Sequence, residues 1–462
     1  MSTDPAATTA PGGEPLGPLP RRRLLAVITG LATPVVLGQL AQVLMGLVDT
    51  VLVGRLGEAS LAAVAIATLM FSALAMSIKA TDVAAQTFTA RRVGEGRDGE
   101  VGAVLATSVT VTLLAGAAVM MVGLLLPETL MRLVSRDAEV VELGAGYIVF
   151  RYAGILPLLF YFQVKGVFDG VGWTRIGMGI GIGMNLANVL LNWIFIFGKL
   201  GAPALGVRGA ALASTLSAAL AAAAALGFVL WPRIRKRFRF LSRTNFQPRL
   251  VGPFLRIAWP PALQTLGIVL GLLVFNWILG RISVLAVAAA NVVLRIASLS
   301  FMPGVGVGAA VQTLVGQSLG RGDPQGARRA AWYGVGVSTL FMGIFGLAFV
   351  AVPGAILRLF SDSDALIGAG TPILRLMGLV QVIDAVGLTL SGALRGAGLT
   401  RPVMLVDLLT GLCLLPPLSW LFGITLGGGL MGAWLALLVW FTLYAVGMVF
   451  LFQRSRWEEV SL

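Results

Sequence analysis

Histidine is absent from the 462 residues, and cysteine occurs once, as Cys413. Without imidazole there is no histidine general base, no histidine-containing triad and no histidine-ligated zinc. A lone cysteine leaves neither a disulfide within the chain nor a cysteine-built metal site. Charge is also scarce: 12% of residues are charged, against about a quarter in a soluble domain. What fills the chain instead is apolar, with 57% hydrophobic residues and a mean hydropathy of +0.92. The net charge of +14 could suggest nucleic acid. The cations, however, fall in short runs between apolar stretches, the distribution a bilayer imposes, and no basic stripe is interleaved with aromatics. A membrane protein with no nucleic-acid partner is expected.

The second prominent feature is a repeat. Pro34 returns as Pro260, Gly54-Arg55 as Gly280-Arg281, Gln86-Thr87 as Gln312-Thr313, and Gly94 and Gly96 as Gly320 and Gly322, always at one constant offset. Gly170-Val171-Gly172-Trp173-Thr174-Arg175 recurs at the same spacing as Gly396-Ala397-Gly398-Leu399-Thr400-Arg401. Glycine, proline and arginine sit where geometry or charge is needed, so pairs of them in step mark a duplication. An apolar chain in two copies is characteristic of transporters.

Apolar stretches long enough to cross a bilayer place spans near 26–54, 60–89, 101–126, 139–169, 176–198, 207–231, 254–280, 285–317, 329–353, 370–394, 402–423 and 430–452. The expected fold is an all-α membrane protein, with twelve transmembrane helices in two six-helix lobes related by the repeat. Six spans per copy leave both copies in one orientation. The first span is too long for a cleaved signal. Residues 1–23 read as a disordered cytoplasmic tail, 24–231 as the N-lobe, 232–251 as a basic cytoplasmic linker, 252–453 as the C-lobe and 454–462 as a second cytoplasmic tail. Arg233, Arg235, Lys236, Arg237, Arg239 and Arg249 concentrate in the linker, with Arg91, Arg92, Arg175, Arg321 and Arg401 on the same side. That asymmetry predicts an integral plasma (inner) membrane protein with both termini in the cytoplasm. The linker itself reads as a topology determinant in contact with lipid headgroups.

Polar residues inside spans are few and informative, because hydrocarbon penalises each one. Gln39, Gln42, Gly46 and Asp49 are spaced 3, 4 and 3 and so share one face of the first span. Asn185, Asn188 and Asn192 do the same on the fifth. One carboxylate beside several amides can carry a proton or coordinate a cation; the amides could instead be glue between helices. The position equivalent to Asp49 in the second copy is Phe275, so the copies differ in chemistry there. In the second half Asp384 lies one turn after Gln381, with Gln264 and Asn291 as candidate neighbours. Lys79 and Asp82, three apart, read as a structural ion pair or a relay. Lys165 with Asp169, and Asp407, are expected near the cytoplasmic end, snorkelling or paired. Fifteen methionines would suit varied apolar ligands, though in so apolar a chain they say little.

Four segments, MGLVDTVLVGRLGEASLAAVAIA, NVLLNWIFIFG with GVRGAALAS, FMPGVGVGAAVQTLVGQSLGRGD and QVIDAVGLTLSGALRGAGLTRP, resemble the multidrug and toxic compound extrusion (MATE) family over residues 24–452. The resemblance implies a transporter and not an enzyme, exporting cationic, amphipathic small molecules in exchange for H+ or Na+ through a cleft between the lobes. It implies cation coupling at Asp49 with Asn188 and Asn192, and a functional aspartate at Asp384; the residues themselves add Ser214 to the coupling set and Gln42, Gln264, Asn291 and Gln381 to a substrate-binding set with Asp384. A monomer in contact with membrane lipids is expected, with no cofactor beyond the coupling ion.

The chain departs from the family pattern at three places. Ile268 stands where some members carry a glutamate, Asn192 where a sodium-type site has a second aspartate, and Ala290-Asn291 where a His-Gln pair is common. Formal charge at the cation site is therefore low, which favours H+. Na+ stays open because Asp49, Asn188 and Asn192, with Ser214, could act as metal ligands. A flippase for lipid-linked sugars is the rival within transport, but it would want more intramembrane cations than Lys79 and Arg295. An intramembrane protease or acyltransferase lacks a catalytic constellation.

Overall fold

An uninterrupted run of Leu, Ala, Val and Ile can satisfy its backbone inside a bilayer only by winding into helix. The structure, a computed structural model in which residues 20–242 and 245–460 are described, is helical wherever the sequence is apolar, and no strand occurs among the described residues. In order the helices are α1 (Arg21–Gly54), α2 (Glu58–Lys79), α3 (Asp82–Gly94), α4 (Val101–Leu125), α5 (Pro127–Arg132), α6 (Ala138–Ala153), α7 (Ile155–Val171), α8 (Thr174–Phe197), α9 (Gly206–Leu230) and α10 (Pro232–Phe238). They continue as α11 (Pro248–Ile282), α12 (Val284–Ser300), α13 (Met302–Gly320), α14 (Pro324–Ala351), α15 (Pro353–Arg358), α16 (Asp364–Gly396), α17 (Thr400–Asp407), α18 (Leu415–Trp420) and α19 (Gly429–Arg454). Among the described residues eleven spans are long and apolar enough to cross a membrane, and the pair α6–α7, bent by 44°, makes twelve when taken as one span. Counted so, the number agrees with the twelve expected spans.

The expected tail over 1–23 lies outside the described residues up to 19, as do residues 461–462 of the C-terminal tail; Arg21, Arg22 and Arg23 instead form the first turn of α1. The linker contains α10, and α11 begins at Pro248, several residues before the expected span.

The duplication is visible in backbone as well as sequence. The short helices Pro127–Arg132 and Pro353–Arg358 occupy equivalent places in the two copies, each opening on a proline whose missing N–H would have been unpaired there anyway. Gly172 and Gly398, in the GxGxTR repeats, turn the chain with φ of 96° and 92°. Only glycine adopts that conformation without strain, which explains its return in both copies. The bend between α6 and α7 falls at Gly154, whose missing side chain leaves room for Thr215 of α9; a Cβ there would stand 2.9 Å from the Thr215 Cα. Pro157 follows, unable to bond back to the carbonyl of Ala153, so the helix breaks where the ladder is weakest.

Two compact units emerge, Met1–Val36 with Leu263–Leu462, and Leu37–Ala262. The divisions fall at equivalent positions of the two copies, inside α1 and α11 and shortly after Pro34 and Pro260, and not at the expected linker. In the second unit, Phe168, Trp173, Phe238 and Phe240 form an aromatic cluster beneath α10. Arg237 covers it, 5.6 Å from the Trp173 ring, and donates to Asp98 Oδ2 at 2.8 Å. One linker cation is thus engaged by protein. The first unit holds two apolar cores, one around Ile28, Val311 and Phe452, the other around Phe275, Leu374 and Trp434.

Candidate cation and substrate site

Helical spacing brings the amides of α8 onto one face, and in the unit spanning Leu37–Ala262 that face meets Asp49 of α1. Asn192 Nδ2 donates to Asp49 Oδ1 at 2.5 Å. Asn188 lies one turn earlier, its amide nitrogen facing Asp49 Oδ1 at 3.0 Å and its oxygen accepting from Ser214 Oγ and the Ser214 backbone N–H, each at 3.2 Å. Ser217 Oγ donates to the Ser214 carbonyl at 3.0 Å. Asn188, Asn192, Ser214 and Ser217 are buried while Asp49 is half-buried, so the carboxylate is the open end of a closed polar pocket. Asp49, Asn188, Asn192 and Ser214, expected together, are together. Asn185, also buried, leaves its Oδ1 without a partner. Gln42 is exposed on α1 and makes no bond to this cluster.

Arg151 of α6 stands outside the set that sequence reasoning found. It is an electrostatic neighbour of Asp49, and its guanidinium stacks 4.3 Å over the Phe71 ring. The expectation that Lys79 and Arg295 are the cations well inside the spans near the cleft is therefore incomplete; Arg375 within α16 is a further cation inside a span. Every arginine within a span, counted whatever its distance from a recognised motif, would have been the signal.

Lys79 ends α2 and Asp82 begins α3, with Nζ 3.6 Å from Oδ2 across the break at Ala80-Thr81. Lys165 Nζ meets Asp169 Oδ2 at 2.5 Å. Gly166, between them, packs on Asp82, where a Cβ would stand 2.8 Å from the Asp82 carbonyl oxygen. The two pairs are thus close on adjoining helices.

In the unit containing Leu263–Leu462, Asp384 and Gln381 are buried on α16, and both head atoms of Gln381 lack a partner. Gln264 does not reach Asp384 by hydrogen bond. It donates to Asp407 Oδ2 at 2.7 Å and accepts from Arg395 at 3.0 Å. Asp407 is buried in this bridge and does not snorkel, because α17 turns it inward beside α11. Asn291 is also placed otherwise than expected: it is exposed, and it donates to the Val287 carbonyl at 2.9 Å and to Asn276 Oδ1 at 3.3 Å.

Twelve apolar crossings in two repeated halves, with ionisable side chains buried at mid-span, define a membrane transporter. The MatE family model matches residues 34–194 and again 260–421, two starts separated by the repeat length. The chain belongs to the MatE family, as the sequence resemblance implied, and is a transporter and not an enzyme. A probable multidrug resistance protein NorM of Synechococcus sp. is 31% identical over 412 residues, covering 88% of each chain. The corresponding Deinococcus radiodurans protein is 29% identical over 97% of each. The fold matches a multidrug resistance MATE family transporter in an outward-facing conformation, with a TM-score of 0.87 at 22% identity over 96% of this chain and 100% of that one. It also matches a Vibrio cholerae MATE transporter, with a TM-score of 0.87 at 17% identity over 95% and 99%.

Proposed function

We propose that this protein is a secondary antiporter that exports cationic, amphipathic compounds from the cytoplasm in exchange for H+, by alternating access. The observation that carries the reading is the single Asp49 carboxylate set against the Asn188 and Asn192 amides. An ionised carboxylate accepts from those amides and attracts a cation; a protonated one still accepts through its carbonyl oxygen but has lost the charge that holds the cation. Facing outward, Asp49 takes a proton and lets the drug go; facing inward, it loses the proton and rebinds. Proton and drug compete for one charge. A gradient of one pH unit supplies about 1.4 kcal/mol per proton, and 100 mV about 2.3 kcal/mol per charge moved, so modest differential binding suffices. Asp384, Gln381, Gln264 and Asn291, with Gln42, are assigned to substrate, and Lys79 with Asp82 to structure.

H+ is favoured over Na+ because a lone carboxylate carries a proton unaided, whereas a bare Na+ wants several oxygens. The basic linker supports a cytoplasmic side for both termini. The test is drug flux in liposomes with H+ and Na+ gradients imposed in turn. A proton gradient should drive uptake and a sodium gradient should not; the reverse result overturns the ion assignment.

A further inference from the structure

At the end of the Leu37–Ala262 unit remote from the basic linker, α5, the start of α6 and the start of α9 line an open cavity of about 810 Å³, a size typical of small-ligand sites. Its lining is mixed, with Pro127, Val141, Ala145 and Val149 apolar and Arg132, Arg136, Arg208, Glu128 and Glu142 charged. Arg132 and Glu128 face each other at 3.6 Å. Arg136, Arg208 and Glu142 make no hydrogen bond or ion pair among the described residues. Arg208 lies across Gly146, where a Cβ would stand 2.7 Å from its Nε. Beside the cavity, Leu125, Leu126, Leu133 and Val134 are exposed on either side of α5. Cations at this end run against the charge asymmetry that orients the chain, so orientation does not account for them.

We propose that this cavity binds the headgroup of a zwitterionic phospholipid carrying a primary amine. Two free guanidiniums suit a phosphate diester, which arginine grips through paired N–H donors. The free Glu142 carboxylate suits the ammonium. The exposed leucines and Val134 lie where acyl chains would run, and Gly146 leaves the channel in which Arg208 reaches the phosphate.

The full chain, purified in detergent, is offered dioleoyl phosphatidylethanolamine, phosphatidylcholine and phosphatidylglycerol, and retained lipid is counted by native mass spectrometry. Phosphatidylethanolamine should be retained at least fivefold over phosphatidylcholine, whose trimethylated nitrogen has no N–H to give Glu142. Arg136→Ala with Arg208→Ala should lower that retention about tenfold at unchanged lipid-free Tm. Glu142→Gln alters one exposed group and is safe for folding. It should level phosphatidylethanolamine with phosphatidylcholine while phosphatidylglycerol retention stays or rises. Equal retention by wild type and the double variant overturns the proposal, as does an unchanged preference in Glu142→Gln. Displacement of the lipid by an equal concentration of glycerophosphoethanolamine would mean a water-soluble phosphate ester, and would overturn the lipid assignment.

Discussion

The groups hydrogen-bonded to Asp49, and those behind them, carry no charge: two amides and two hydroxyls. Asn is nearly isosteric with Asp, so Asp49→Asn should preserve packing and lose only the exchangeable charge. Drug uptake into everted vesicles should fall to the empty-vector level with Tm within a few degrees of wild type; full resistance in cells carrying the variant would refute the coupling role. Arg151 adds a second expectation at this scale. A guanidinium near the carboxylate opposes a cationic drug, and at the effective dielectric of a protein site one charge several ångströms away is worth roughly 1–2 kcal/mol. Arg151→Gln should lower the KM for cationic drugs about three- to tenfold, with neutral substrates unaffected; an unchanged ratio between the two classes counts against it. Asp49 and the α8 amides were legible in sequence because polar groups at helical spacing in an apolar run stand out. Arg151 was not, since nothing in one dimension points it at α1. Asp407 was misread for a related reason: its place near the start of the expected span 402–423 suggested an interfacial residue, and only packing against α11 reveals the bridge through Gln264 to Arg395.

Among the elements, α1 and α11 carry prolines well inside their length, at Pro34 and at Pro260-Pro261. Proline removes a ladder hydrogen bond and crowds the carbonyl four residues back, so each helix is weakened near the place where the compact units divide. Pro34→Ala should close that gap, raise or preserve Tm and slow efflux at least fivefold with drug affinity unchanged. Wild-type turnover in the variant would show that the weakness is not used. The break between α2 and α3 gives a contrasting case, because Lys79 and Asp82 hold the two helix ends at 3.6 Å. Lys79→Ala leaves an uncompensated carboxylate and should lower stability by about 1–3 kcal/mol, below the range for a fully buried pair because Lys79 is 29% exposed. The double replacement of Lys79 and Asp82 by Ala should recover most of the loss and most of the transport, as read by Tm in detergent and by efflux. A double variant as stable as wild type but inactive would assign the pair to the transport cycle. Span number and order were readable from hydropathy, whereas the breaks at Gly154 and Ala80-Thr81 were not, since each depends on what a neighbouring helix presents.

For the molecule as a whole, the repeat governs more than sequence. The two divisions between compact units, before Leu37 and before Leu263, are themselves one repeat apart, so residues 21–36 and 248–262 are each grouped with the unit formed mainly by the other copy. The repeat copies and the compact units are consequently not the same objects. A fragment ending in the linker near residue 240 and its complement should each be degraded or aggregated when expressed singly, and should yield drug efflux only when made together. Independent stability of either fragment would contradict the exchange. The same geometry reaches back before the duplication. A single ancestral copy could not have completed its own unit, and would have done so by lending its first turns to a second copy, as a swapped dimer. On that view fusion of two genes tethered an exchange already under way, and freed Asp49 and Phe275, once the same position, to become different residues.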